Sequence, residues 1–249
     1  MRIVCVGDSI AAGLGVPAPF AELFRQRAQE RTQRPSSLLN LAASAMQINE
    51  TQTHLDRIVA YRPDLILIAH GITESLIRPV PGALRMMPKR WRRPGWMDPR
   101  PYYSRKFSKR VFQRIESSVR WRMKIALINA FGGIRFTTED NYINSPNNIS
   151  QHLLTHTTAR LFLISHPGID ERYYPNSVQS LDSFWDASLR LAADGPADLM
   201  SRVAHIDIRR ICHRWQDFFD DHFRPNQSGH RKISEELSKA WRTKSDGIL

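Results

Sequence analysis

Ser9 stands on a Gly7-Asp8-Ser9 turn directly after the apolar, β-branched run Ile3-Val4-Cys5-Val6. Such a run predicts a buried strand, and the glycine marks the sharp turn that ends it. A hydroxyl delivered at the carboxyl end of a strand in an α/β sheet faces the crevice where ligands collect. Its chemistry there is nucleophilic, provided a neighbouring group takes its proton. The same residues also have a purely structural use, since Asp8 and Ser9 are both good caps for a helix starting at Ile10-Ala11-Ala12. Near the other end of the chain, Asp221, His222 and Arg224 lie within four residues of sequence. An imidazole oriented by a carboxylate is the usual acceptor of a serine proton.

These residues need a scaffold, and the hydrophobic pattern supplies one. Continuous apolar runs predict strands over residues 1–6, 37–41, 64–69, 160–165 and 203–208. Helical spacing predicts helices over 21–31, 50–61 and 178–193, and a last one from about 227 to 241. Strands alternating with helices, with strand interiors apolar throughout, imply a parallel sheet covered on both faces. The expected fold is a three-layer α/β/α sandwich, a single domain over residues 1–249. Its rhythm is interrupted at about 77–146 by a proline- and arginine-rich stretch and a long helix over 104–131.

Four sequence blocks in this order resemble the SGNH (GDSL-type) hydrolases, whose Ser, Gly, Asn and His come from four separated segments. The blocks are Gly7-Asp8-Ser9-Ile10, Asn40-Leu41-Ala42-Ala43-Ser44-Ala45, Gly71-Ile72-Thr73-Glu74 and Asp221-His222-Phe223-Arg224-Pro225-Asn226 through Gly229-His230. The resemblance spans the chain apart from the interruption. It implies Ser9 as nucleophile, backbone N–H groups of Ser9 and Ala45 with Thr73 as the oxyanion hole, and no metal or organic cofactor.

Three of the family slots hold other residues. Ala45 replaces the glycine of the second block; it keeps the N–H but fits a positive φ poorly. Thr73 replaces the asparagine of the third block, offering a hydroxyl donor of shorter reach. Arg224 replaces the histidine of the last block, and a guanidinium stays protonated at any physiological pH, so it cannot serve as base. In this register Asp221 is expected to pair with Arg224. His222 is two residues away, so in an extended loop it would share the face of Arg224, and a shifted backbone would bring it to Ser9 with Asp221 or Asp220 orienting it, which makes Ser9, His222 and Asp221 the candidate triad. His70 and His166 are further strand-end imidazoles, and His230 is expected to start the last helix.

The formal charge of +12 is concentrated between residues 85 and 124, which hold 14 Lys/Arg against Asp98 and Glu116 and leave 22 residues of each sign elsewhere. Lys89-Arg90-Trp91-Arg92-Arg93 interleaves cations with an indole, a composition suited to an anionic surface or ligand. Arg90, Arg92, Arg93 and Arg224 are the candidate anion-binding residues. A nucleic-acid partner is disfavoured, because no binding fold for one is recognisable. Cys5 and Cys212 have no metal or disulfide spacing, no stretch has the length of a membrane span, and the opening core strand leaves no place for a signal peptide. A cytoplasmic setting is expected, with peripheral attachment at the inner membrane surface as an option. Two functions follow: a serine esterase acting on an acyl ester of a small molecule, saccharide or lipid, or a catalytically impaired relative that recognises an anionic glycan, lipid headgroup or nucleic acid.

Overall fold

The computed structural model describes residues 1–92, 97–98, 107–135, 137, 139–194, 197–213 and 216–245. In chain order, β1 (Arg2–Gly7), α1 (Phe20–Thr32), β2 (Ser37–Asn40), a 3₁₀ turn (Ile48–His54), α2 (Leu55–Tyr61), β3 (Leu65–Ala69) and the single turn α3 (Ile72–Ser75) form the first part. The excursion that follows holds β4 (Arg78–Pro79), α4 (Pro81–Leu84), a 3₁₀ turn (Lys89–Arg92), α5 (Phe107–Phe131) and β5 (Gly133–Ile134). Then come α6 (Glu139–His156), β6 (Arg160–Ile164), α7 (Ser177–Asp194), α8 (Ala197–Met200), β7 (Val203–Ile206) and α9 (Gln227–Ser245).

The central sheet has the order β2-β1-β3-β6-β7, and every pairing in it is parallel. Alternation along β3 divides the core between the two faces. Leu65 and Leu67 pack with Phe20 and Phe24 of α1 and Ile233 and Leu237 of α9. Ile66 and Ile68 pack with Ile58 of α2 and Leu153 and Leu154 of α6. Two apolar faces require two helical layers, so the chain is a three-layer α/β/α sandwich. Because all five strands run the same way, the segments after Gly7, Asn40, Ala69 and Ile164 gather on one edge.

Local differences from the sequence reading have physical causes. No helix follows Ser9; residues 10–15 form consecutive turns, with Gly13 at φ 73° and Gly15 at φ 89° breaking any helical run that the Asp8 contact to the Ile10 N–H would start. The segment around residues 50–54 is 3₁₀ before it becomes α2, and Arg62, at φ 50°, ends that helix ahead of Pro63. The helix α6 returns the chain from the excursion to the core near residue 146. That position is a proline inside α6, and Ile149, Leu153 and Leu154 of the same helix belong to the core.

Candidate functional site

The Ser9 turn is fixed by a close approach of two strands. A Cβ on Gly7 would sit 2.3 Å from the Ala69 carbonyl oxygen and 2.6 Å from the Ala11 Cβ, so the position tolerates no side chain. Beyond it, the Asp8 N–H donates to the Ala69 oxygen at 3.3 Å, and the Asp8 carboxylate is buried. Burial pushes that carboxyl up to about 6, against the opposing pull of the Ile10 N–H, the Arg224 charge and the N–H groups of Thr73 and Ala11. Asp8 therefore acts as a clamp that holds two strand-end loops. Ser9 beside it is 9% exposed, and no described residue accepts its backbone N–H.

The second loop comes from β2. Asn40 donates to the Ala11 oxygen at 3.2 Å and accepts from the Ala42 N–H at 3.0 Å, and the Ala43 N–H reaches the Gly7 oxygen at 3.1 Å. This seats Ala45 near the tip of β1, exposed and at φ 60°. The left-handed conformation costs an alanine roughly 1–2 kcal/mol. Its N–H, like that of Ser9, has no acceptor among the described residues.

The third loop is held by Glu74, a residue whose role the sequence reading missed. Its buried carboxylate accepts the Ile48 N–H at 2.6 Å and the Gly71 N–H at 3.0 Å, and burial with the nearby Asp8 charge pushes it up to about 7. A glutamate three residues after the start of a helical turn was the available signal. Thr73, between these anchors, is buried, and its carbonyl accepts from Arg78 at 2.9 Å.

The last block forms a tight loop closed by the Phe218–Pro225 bridge, with Gly229 pressed against the Asp217 carbonyl, where a Cβ would lie at 2.4 Å. The expected pairing is present: Arg224 Nε donates to Asp221 Oδ2 at 2.7 Å, while Asp221 Oδ1 accepts the N–H groups of Phe223 at 3.3 Å and Arg224 at 3.1 Å. Asp221 is fully buried, which pushes it up to about 6 despite the guanidinium. The Arg224 side chain is 18% exposed, and among the described residues its terminal nitrogens make no hydrogen bond. Arg224 also acts electrostatically on Asp8, so the cation lies at the same edge as Ser9.

His222 is not brought to Ser9 by any hydrogen bond among the described residues. At φ 60° its ring turns away from Arg224 and stacks on Tyr173, 4.2 Å between centroids and 14° between planes. There it lines a groove of about 620 Å³ with Trp121, Phe218 and Asp220. The extended geometry expected for the loop is replaced by a left-handed residue, which sends neighbouring side chains to different sides. The other imidazoles are engaged in structure. His70 is buried against Thr51 Oγ1 at 3.0 Å and pushed down to about 3 by burial. His166 is buried and its Nδ1 contacts the Pro167 oxygen at 3.0 Å. In the first turn of α9, His230 accepts the Phe20 N–H at 3.0 Å.

The basic candidates divide. Arg90 is exposed, whereas Arg92 caps its own segment through the carbonyls of Met87 and Arg85, both at 2.8 Å. Arg93 lies outside the described residues. Two other cations of the same stretch turn inward: Lys124 is buried against Asp98, and Arg120 is buried against Glu116. Among the described residues no cluster of three or more His, Cys, Asp or Glu could hold a metal, and no described helix is long and apolar enough to cross a membrane.

No family model matches the chain, and no curated protein matches it. Solved structures do. A lipase/acylhydrolase from Enterococcus faecalis is similar with a TM-score of 0.61 at 12% identity, over 98% of this chain and 97% of that one. The acetyl xylan esterase AlAXEase gives a TM-score of 0.60 at 11% identity, over 96% and 99%. A lipase, Lip_vut3, from a goat rumen metagenome gives 0.54 at 15%, over 96% and 97%. The chain therefore shares the three-layer α/β fold of these lipases and esterases over nearly its whole length. At these identities the likeness reaches the fold and stops there.

Proposed function

We propose that this chain is an SGNH-type protein whose strand-edge cleft binds an oxyanion, a carboxylate or phosphate carried by a small molecule, acidic saccharide or lipid headgroup. The observation that carries this is the guanidinium of Arg224. It is pinned through Nε by a buried carboxylate, with its terminal nitrogens uncommitted among the described residues. A planar fork held by one edge presents the other edge to an oxyanion. The uncommitted N–H groups of Ser9 and Ala45 add donors of the kind that stabilise negative charge on oxygen, and the Thr73 hydroxyl is a third candidate. Among the described residues no imidazole hydrogen-bonds to Ser9, and the nearest loop histidine, His222, stacks on Tyr173.

A second reading, a serine esterase acting on an acyl ester, is favoured by one observation: Ala45 keeps a strained φ of 60°, the conformation a glycine would adopt without cost. In that reading Ser9 attacks the ester carbonyl, its N–H and that of Ala45 receive the oxyanion, and His222, oriented by Asp221 or Asp220, leaves Tyr173 to take the proton.

Two measurements separate the readings. Titration calorimetry of the full chain with acetate and with inorganic phosphate is expected to show binding that Arg224→Gln weakens about tenfold or more. A fluorophosphonate probe is expected to leave Ser9 unlabelled. Rapid labelling lost in both Ser9→Ala and His222→Ala would overturn the binding reading and establish the esterase.

A further inference from the structure

The first half of α5 overhangs the sandwich, with Phe107, Arg110, Val111 and Arg114 forming one wall of the open groove of about 620 Å³ that His222 and Phe218 line from the other side. From Phe107 to Ile115 every residue is exposed except the half-buried Gln113. Anchorage begins one turn later, where Ser117, Arg120, Lys124, Leu127 and Ile128 are buried. The overhanging part is apolar where a free helix should be polar. Phe107, Val111, Ile115 and Val119 are spaced four apart and so share one face, with Phe112 beside them. Their exposures are 82%, 40%, 58% and 48%, and Phe112 is 68% exposed. Lys109, Arg110, Arg114 and Arg122 surround that stripe, and Glu116, the acidic residue of the helix, is occupied by Arg120.

We infer that α5 is a membrane-docking helix, which lays its Phe107–Val119 stripe into the surface of a bilayer containing anionic phospholipid. Two features select this occupant. The surrounding charge is positive, complementing an anionic headgroup layer. The stripe itself is dominated by aliphatic side chains and two phenyl rings, which gain by entering an acyl-chain boundary. A polyanion such as single-stranded nucleic acid or an acidic polysaccharide would use the cations but leave Val111, Ile115 and Val119 in water. Exposed apolar side chains in a continuous row on a monomer mark an interaction site. The assignment does not depend on what the Arg224 cleft binds.

The test is co-sedimentation of the full chain with vesicles of phosphatidylcholine alone and of phosphatidylcholine mixed with phosphatidylglycerol. Binding is expected to the mixed vesicles only, and to weaken as salt rises. Phe107→Ser with Phe112→Ser is expected to lower the affinity about tenfold or more, and Arg110→Glu with Arg114→Glu to abolish it. Both pairs are solvent-exposed, so unchanged thermal melting confirms that the fold is kept; Ile115→Ser alone serves as a milder second variant and should weaken binding severalfold. Arg57→Glu with Lys239→Glu, on other elements, should bind as the unaltered chain does. Absence of binding to mixed vesicles would overturn the proposal. So would affinity that ignores the phenylalanines, and so would single-stranded DNA binding as tightly with the same salt dependence, since charge alone would then suffice.

Discussion

The strand-tip half of the cleft and the 217–226 loop that faces it differ in what they have kept. On the strand-tip side Gly7, Asp8 and Glu74 fasten three loops, and the N–H groups of Ser9 and Ala45 have no acceptor among the described residues, even at the cost of a left-handed alanine. On the loop side the frame is equally tight, but the residue it aims is a guanidinium tied to Asp221, and the neighbouring imidazole is stacked on Tyr173. Backbone geometry and side-chain chemistry are thus separable. A loop that could hold an acid–base pair holds an ion pair instead, and an apparatus for receiving negative charge acquires a fixed positive one.

That contrast can be broken by restoring the missing chemistry. Arg224→His places an imidazole base beside Asp221 at the edge that carries Ser9, and a positioned base contributes about 10²–10⁴-fold. Hydrolysis of p-nitrophenyl acetate is expected to rise by at least about 10²-fold over the unaltered chain and to vanish when Ser9→Ala is added. If the rate does not move, the strand-tip half is not a working oxyanion hole.

A smaller effect concerns acidity. Asp8 and Asp221 sit at about 6 and Glu74 at about 7 in the folded chain, each raised chiefly by burial. Their unfolded values are the ordinary carboxylate ones, so on raising the pH the unfolded chain loses these protons first. The stability they contribute is complete below about pH 4 and is lost as pH rises through 6 to 7. Glu74 alone, moving from 4.5 to about 7, accounts for about 3 kcal/mol. Urea midpoints measured from pH 5 to pH 8 should fall, and Glu74→Gln should flatten part of that slope. A profile equally steep in Glu74→Gln would remove the residue from this role. The smallest effect is Ala45→Gly. Relief of the positive φ is expected to raise stability by about 1 kcal/mol, read as a higher melting temperature. A loss of stability would show that the alanine is not strained.

The sheet was legible because its inner strands β1, β3 and β6 are buried on both faces and so read as unbroken apolar runs, and because motif residues follow the strands at one edge. The ion pair of Asp221 with Arg224 was legible from the block register of the resemblance, which sets a carboxylate and a guanidinium in two facing slots. The position of His222 was not, because it rests on a partner 49 residues earlier, Tyr173, and on a left-handed backbone that a histidine does not advertise. Nor was the inward turn of Lys124, since a basic run in sequence reads as solvated whichever way the helix is rolled. Glu74 looked like part of a block and proved to be the fastener of two loops.

Lys124 joins α5 to the cleft loop. Its ammonium pairs with Asp98 and lies 4.4 Å over the Tyr174 ring, whose hydroxyl donates to the Asp221 carbonyl at 3.0 Å. The helix is rooted by the same residue that leans on the cleft loop. A pull on its overhanging tip is therefore expected to arrive at the guanidinium through one lysine, one ring and one peptide oxygen.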